Sequence, residues 1–268
     1  MSCRDRNFDD IAHHFQKNIY GSPKGRIRLH RLRSDLNAFL PELYGSYNLN
    51  VLDAGGGLGQ LAIELASYNQ VILSDVSAEM LKLAKDSTQL MQSPQLNIKF
   101  EQASIQMLAE RIGLASQDVV MCHAVLEWVD NPKARLFELI DLIKPAGYLS
   151  LATYNRSATF FRNLINGNFK WIDRKLNNAD VEDKAWKTKG NSLTPPNPLM
   201  PDVVEAWLID AGCIVVKRTG IRVFDDYRHH MLTQKHTEDD ILQKEEFFGV
   251  REPFSRLGRY NHFLVKKL

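Results

Sequence analysis

The chain has 268 residues, 44% hydrophobic and 25% charged, with a formal net charge of +2, enough to bury a full core in one α/β domain. No window approaches about eighteen unbroken apolar residues, the start Met1-Ser-Cys-Arg-Asp-Arg-Asn7 lacks the apolar core of a signal peptide, and Cys3, Cys122 and Cys213 are scattered singly. These features argue against a membrane span, a disulfide framework and a zinc site, and a cytoplasmic protein with no metal is expected.

Charge is unevenly distributed. Residues 1–50 carry eight basic and five acidic side chains, 51–150 seven and twelve, and 151–268 nineteen and fifteen, or +3, −5 and +4. An acidic middle between basic flanks suits a polyanionic partner received by the flanks.

Phe8, Ile11, Phe15 and Ile19 recur at helical spacing behind a cap at Asn7. A second helix follows, with Leu29, Leu32, Leu36, Phe39 and Leu43 on one stripe and Arg26, Arg28, Arg31 and Arg33 on its other faces. An arginine near the strand ends would meet a ligand carboxylate with a bidentate fork.

Asn50-Val-Leu-Asp-Ala-Gly-Gly-Gly-Leu-Gly-Gln60 reads as strand, tight turn and helix. Gly55, Gly56, Gly57 and Gly59 let a ligand lie against bare main chain at a helix N-terminus. The next strand, Gln70 to Asp75, ends in an acid suited to the hydroxyls of a ribose. An adenosine-bearing ligand follows, and the turn alone leaves a nicotinamide dinucleotide and S-adenosylmethionine both open, because Gly57, Gly59 and Ala62 also satisfy G-x-G-x-x-G/A.

Beyond it come a helix from Ala78 to about Met91, a strand at Asn97 to Glu101, and a loop Gln102 to Gln106 placed to meet a base. Asp118 to Trp128 reads as a buried strand with His123 near its ligand-binding end, and a helix over Ala134 to Ile143 leads to a strand at Tyr148 to Tyr154. Residues 156–200, rich in Asn, Lys, Arg and aromatics, read as an insertion. A helix from Asp202 to Ala211, a strand-like run from Gly212 to Phe224, a polar helical segment near 225–248 and a strand at Tyr260 to Lys267 complete the chain. Alternation of this kind implies a mostly parallel sheet.

Asp53 to Gly59, Asp75, His123 to Trp128 and Lys144-Pro-Ala-Gly147 together resemble class I S-adenosylmethionine-dependent methyltransferases. Flanking motifs, among them Arg6 to Ala12, Asn18 to Gly21, Gly167-Asn-Phe169, Thr219 to Phe224 and Leu257 to Tyr260, resemble the bacterial tRNA 5-carboxymethoxyuridine methyltransferase family. The resemblance implies an α/β, Rossmann-like fold with a seven-stranded, mostly parallel sheet, helices on both faces, N-terminal helices, and insertions after strands 5 and 6. It implies one methyltransferase domain over 1–268, with an N-terminal helical cap at 1–49, a cofactor core at 50–155, a substrate-side insertion at 156–200 and a C-terminal sheet half at 201–268. S-adenosylmethionine would be consumed as methyl donor, and the anticodon loop of tRNA would be the partner.

Carried over residue by residue, the family's pocket falls on Arg28 for the methionine carboxylate, Gly55 and Gly56 for close main-chain approach, Asp75 for the ribose, Ser104 and Ile105 for adenine, and His123 for the strand-end contact. A carboxylate nucleophile needs no obligate acid or base, so Tyr20, Tyr154, Asn155 and Arg222 are candidates for positioning only. Tyr20, Phe169, Trp171, Tyr227 and Tyr260 are candidates to stack bases beside Lys170, Arg222, Arg228, Arg251, Arg256 and Arg259. A methyltransferase of small carboxylic acids, or a non-enzymatic RNA-binding module with structural S-adenosylmethionine, are the competing readings.

Overall fold

A computed structural model describes residues 6–15, 22–45, 48–90, 96–177, 195–228 and 236–268. Seven strands, β1 (Asn50–Ala54), β2 (Gln70–Asp75), β3 (Ile98–Gln102), β4 (Gln117–His123), β5 (Ile143–Tyr154), β6 (Cys213–Ile221) and β7 (Tyr260–Lys267), form one sheet in the order β3-β2-β1-β4-β5-β7-β6. The first five lie parallel, and β7 runs antiparallel between β5 and β6. Strand order reverses between β1 and β4, which opens a crevice beyond Ala54 and His123, where ligands of open α/β sheets bind.

The helices are α1 (Ala12–Phe15), α2 (Pro23–Phe39), α3 (Gln60–Leu65), α4 (Ala78–Leu90), α5 (Ile105–Ile112), α6 (Pro132–Asp141), α7 (Arg156–Ile165), α8 (Phe169–Asn177), α9 (Pro201–Asp210) and α10 (Glu238–Gly249). Alternate residues of each central strand feed opposite cores. Leu52, Val120 and Cys122 pack with Leu136 of α6 and Leu208 of α9. Val51, Val119 and Met121 pack with Leu32 and Leu36 of α2, Leu65 of α3 and Leu81 of α4. Burial of both faces explains why these strands read as continuous apolar runs, and each fully buried Leu or Val contributes about 1.5–3 kcal/mol before entropy is charged against it.

Helix α2 starts at Pro23, since Ser22 Oγ accepts from Gly25 N at 3.2 Å and Pro23 occupies the first turn. Arg28, Arg31 and Asp35 then recur at three- and four-residue steps along one face. Several boundaries differ from the sequence reading: β5 begins at Ile143 and takes in Lys144 to Gly147, α2 ends at Phe39 and leaves Leu43 in a separate 3-10 turn, α10 covers Glu238–Gly249 of the segment expected near 225–248, and two further differences lie at the cleft. The strand expected to reach Trp128 ends at His123, because Ala124 takes φ +62° and the chain turns into a short 3-10 helix at Leu126–Trp128. The loop expected at 102–106 leads directly into α5. The insertion after β5 carries α7 and α8, while Tyr20 and residues 178–194 lie outside the described residues. Among those described, no helix is long and apolar enough to cross a membrane, and no cluster of His, Cys, Asp and Glu is arranged to hold a metal.

Candidate cofactor site

The crevice is a cleft walled by Gly55, Gly57, Asp75, Ser104, Ile105, His123, Val125, Trp128, Tyr260 and Arg28. A smaller adjoining chamber shares Arg28 and His123 with it and adds Asp53, Gly56 and Gln60. The structure thus brings together all seven residues singled out for the cofactor: six line the cleft, and Gly56 lines the adjoining chamber.

Glycine is required in the turn on two counts. Gly55 sits at φ +71°, and a Cβ there would lie 2.6 Å from Val125 Cγ2. A Cβ on Gly56 would lie 2.4 Å from Leu73 Cδ1 and 2.5 Å from the Asp53 carboxyl. Close approach of the protein to itself, as well as of a ligand, therefore excludes side chains here.

Asp75 organises the opposite wall. Its Oδ2 accepts from Gly57 N at 2.9 Å and its Oδ1 from Ser77 N at 2.8 Å, so one carboxylate ties the glycine turn to the start of α4. Burial raises its pKa, and the two backbone donors oppose that rise. Each oxygen keeps a second acceptor site for a ligand hydroxyl.

Two carboxyls not assigned to the site by the sequence reading stand nearby. Asp53, at the end of β1, is pushed up to about 7 by burial and then by the charge of Asp75. Glu127, wholly buried in the turn after β4, is pushed up to about 7 by burial. Asp53 was legible in principle as the acid that closes the first strand; Glu127 was hidden in what read as strand. His123 is held neutral, its pKa pushed well below the usual range by burial and, to a smaller degree, by the neighbouring His262 ring and Arg28 guanidinium.

An N-terminal strap crosses the cleft. The Phe8 ring meets Trp128 edge-on at 5.0 Å, Arg6 N donates to Trp128 O at 3.3 Å, and Asp9 Oδ1 accepts from Ser77 Oγ at 2.6 Å and Glu79 N at 3.2 Å. Phe8, read as one position of a helical stripe, instead lines the cleft as part of its cover. Phe8→Ala is expected to weaken binding of a nucleoside ligand about 2- to 10-fold by removing a ring from the cleft wall, and to cost the ligand-free protein about 0.5–1.5 kcal/mol through the lost Phe8–Trp128 pair. Titration calorimetry with parallel thermal melts checks it.

The positioning candidates fare differently. Tyr154 is buried, edge-on to Tyr260 at 5.3 Å and under the Arg259 guanidinium at 4.7 Å. Asn155 is corrected to a structural role: its Nδ2 donates to Arg256 O and Gly258 O, and its Oδ1 accepts from Ser157 N to cap α7. No capacity remains for a substrate carboxylate. Arg222 pairs with Asp226, to which Arg259 Nε also reaches at 3.2 Å, so two guanidiniums share one acid beside Tyr154.

Several expected phosphate contacts are already engaged within the chain. Arg228 binds Asp225, Arg256 binds Asp202, and Arg251 lies over Phe247. Tyr227 donates to Leu257 O at 2.7 Å. Phe169, by contrast, is 60% exposed on α8 beside Lys170.

A glycine turn, a ribose-competent acid on the adjacent strand and an adjoining chamber with an arginine and a buried acid, all on this seven-stranded sheet, define a Rossmann-like S-adenosylmethionine-dependent methyltransferase. A family model for a methyltransferase domain matches residues 46–195. The fold is that of magnesium protoporphyrin IX methyltransferase from Synechocystis PCC 6803, solved with bound S-adenosylhomocysteine (TM-score 0.63, 18% identity, 97% of this chain and 96% of that one). The chain is 38% identical over 265 residues to the tRNA 5-carboxymethoxyuridine methyltransferase of Escherichia coli (strain K12), covering 98% of this chain and 97% of that one. A ubiquinone biosynthesis O-methyltransferase of Albidiferax ferrireducens is 30% identical over 156 residues, 58% of this chain and 59% of that one. The chain belongs to the tRNA 5-carboxymethoxyuridine methyltransferase family.

The residues present suit the donor. Asp75 offers acceptors to ribose hydroxyls, Gly55 to Gly57 offer bare main chain, and the adjoining chamber offers Arg28 to a carboxylate and Asp53 to an ammonium.

Proposed function

We propose that this protein, a single methyltransferase domain acting in the cytoplasm, esterifies the carboxylate of 5-carboxymethoxyuridine at the wobble position of tRNA, receiving the anticodon loop beside the insertion at 156–200. The observation that carries this reading is 38% identity along 98% of the chain to a tRNA 5-carboxymethoxyuridine methyltransferase; beside the cleft-lining Tyr260, Tyr154 carries the Arg259 guanidinium, which shares Asp226 with Arg222.

S-adenosylmethionine, when bound, supplies an electrophilic methyl group on a sulfonium sulfur. The protein's task is then to orient the substrate carboxylate in line and to exclude water, since an ionised carboxylate is already a nucleophile at neutral pH. A cation clamped on the attacking oxygen would stabilise the ground state more than the transition state, in which both charges fade. Arg222 and Arg259, whose charge is shared with Asp226, offer a tempered positive field suited to the other oxygen. Arg222→Ala is expected to raise KM for tRNA about 10-fold, in line with one charge-assisted hydrogen bond. Unchanged KM and kcat for modified tRNA would remove Arg222 from substrate handling.

Asp53 gives the cofactor site a pH dependence. With its carboxyl at about 7, the ligand-free protein holds a proton there in mild acid, and a ligand ammonium favours the ionised form. Affinity for S-adenosylmethionine is therefore expected to rise between about pH 6 and pH 8, and Asp53→Asn to flatten that rise; calorimetry across the range checks both.

The decisive experiment is mass analysis of wobble nucleosides in tRNA from cells with and without the protein. Loss of the methyl ester with accumulation of the free acid is expected, and an unchanged profile would overturn the reading. Purified enzyme should also lose tRNA affinity steeply as salt rises, which a small-acid methyltransferase would not.

A further inference from the structure

A buried chain of hydrogen bonds runs from α2 across three strands into the cofactor cleft. Arg31 pairs with Asp35; Asp35 Oδ2 lies 2.8 Å from His262 Nδ1; His262 Nε2 lies 2.8 Å from Ser150 Oγ; and Ser150 Oγ lies 2.9 Å from His123 Nε2. Asp35, His262 and Ser150 are fully buried and Arg31 nearly so. His123 is the terminal member, lining both the cleft and the adjoining chamber, and its Nδ1 has no hydrogen-bond partner among the described residues.

The donors and acceptors along this chain are not independent. Asp35 is ionised, so it accepts only, and His262 must carry a proton on Nδ1. A neutral His262 then has a bare Nε2, which Ser150 must satisfy with its one hydroxyl proton. Ser150 can only accept from His123, which places the His123 proton on Nε2 and leaves Nδ1 as a lone pair. Protonation of His262 would reverse both bonds and turn Nδ1 of His123 into a donor. The same site is faced by Arg31, which also pairs with Asp35, by His123 and, beyond it, by Arg28, and Thr219 lies across the β6–β7 pairing.

We propose that Asp35, His262 and Ser150 are positioning residues that set the proton on His123, so that His123 presents an acceptor at Nδ1 to the ammonium of the cofactor's amino-acid end while Arg28 takes the carboxylate. This rests on the cofactor reading of the cleft. Sequence alone does not suggest it, since Asp35 and His262 are 227 positions apart.

The test uses full-length protein with ¹⁵N-labelled histidine, the His123 signals being assigned with His123→Asn. In the wild type without ligand at pH 7.5, His123 is expected as the neutral Nε2–H tautomer. Ser150→Ala is expected to populate both tautomers and to weaken S-adenosylhomocysteine about 10-fold or more, with no loss for the analogue whose α-amino group is replaced by hydrogen. A wild-type proton on Nδ1, or a Ser150→Ala change that is absent or equal for the two ligands, would overturn the relay. Asp75→Ala serves as the control for the site: insensitivity of S-adenosylhomocysteine binding to that change would instead overturn the cofactor reading.

Discussion

Asp75→Ala is expected to weaken S-adenosylmethionine and S-adenosylhomocysteine binding at least about 100-fold and to depress kcat/KM accordingly. One hydrogen bond to a charged group is worth about 1.5–3 kcal/mol, and each 1.4 kcal/mol is tenfold in affinity. Two ribose hydroxyls lost from the carboxylate therefore reach a factor of about 100 without any further effect. The substitution also frees Gly57 N and Ser77 N, both held by the same carboxylate, so the turn loses its tie to α4 and part of its preorganisation. Asp75→Asn is expected to fall between the two, since the amide keeps one acceptor but turns an NH₂ toward a backbone donor. Calorimetry with S-adenosylhomocysteine measures both variants; an Asp75→Ala affinity within threefold of wild type would remove Asp75 from the ribose site.

Features encoded locally were readable in the sequence. β1 is a short apolar run that meets Gly55 and β2 one that ends in Asp75, so the glycine turn with Asp75 beyond it is a contiguous signal. Helix α5 was missed although Ile105, Leu108 and Ile112 recur at helical steps, because its two turns offer little periodicity and Ser104 at its N-terminus makes no side-chain cap. The end of β4 turns on one alanine at positive φ, and alanine carries no sequence signal for that conformation. The adjoining chamber is tertiary in origin: Arg28 comes from α2, Asp53 from β1 and His123 from β4. The same holds for the pairing of Arg222 and Arg259 on Asp226. Asn155 shows the opposite error, for an Asn just before an amphipathic helix was readable as an N-cap and was read as a substrate contact.

Asp35→Ala is expected to destabilise the protein by about 3–5 kcal/mol, because it strands a buried guanidinium and an imidazole proton together. Arg31 and His262 both direct donors at Asp35 in a buried site, and neither pairs with another acid among the described residues. The double change Arg31→Met with Asp35→Leu is expected to cost less, about 1–3 kcal/mol, since only the His262 N–H is then left unsatisfied. Urea unfolding separates the two, and a double variant as unstable as Asp35→Ala would contradict the charge argument. Acid provides an independent check. Burial alone would raise the Asp35 carboxyl, but His262 and Arg31 hold it down from 3.8 to about 2. The stabilisation it contributes is thus complete above about pH 4 and is lost as pH falls through about 2. Wild-type stability should decline more steeply than that of the double variant across this window, and the difference between them should narrow toward its acid end.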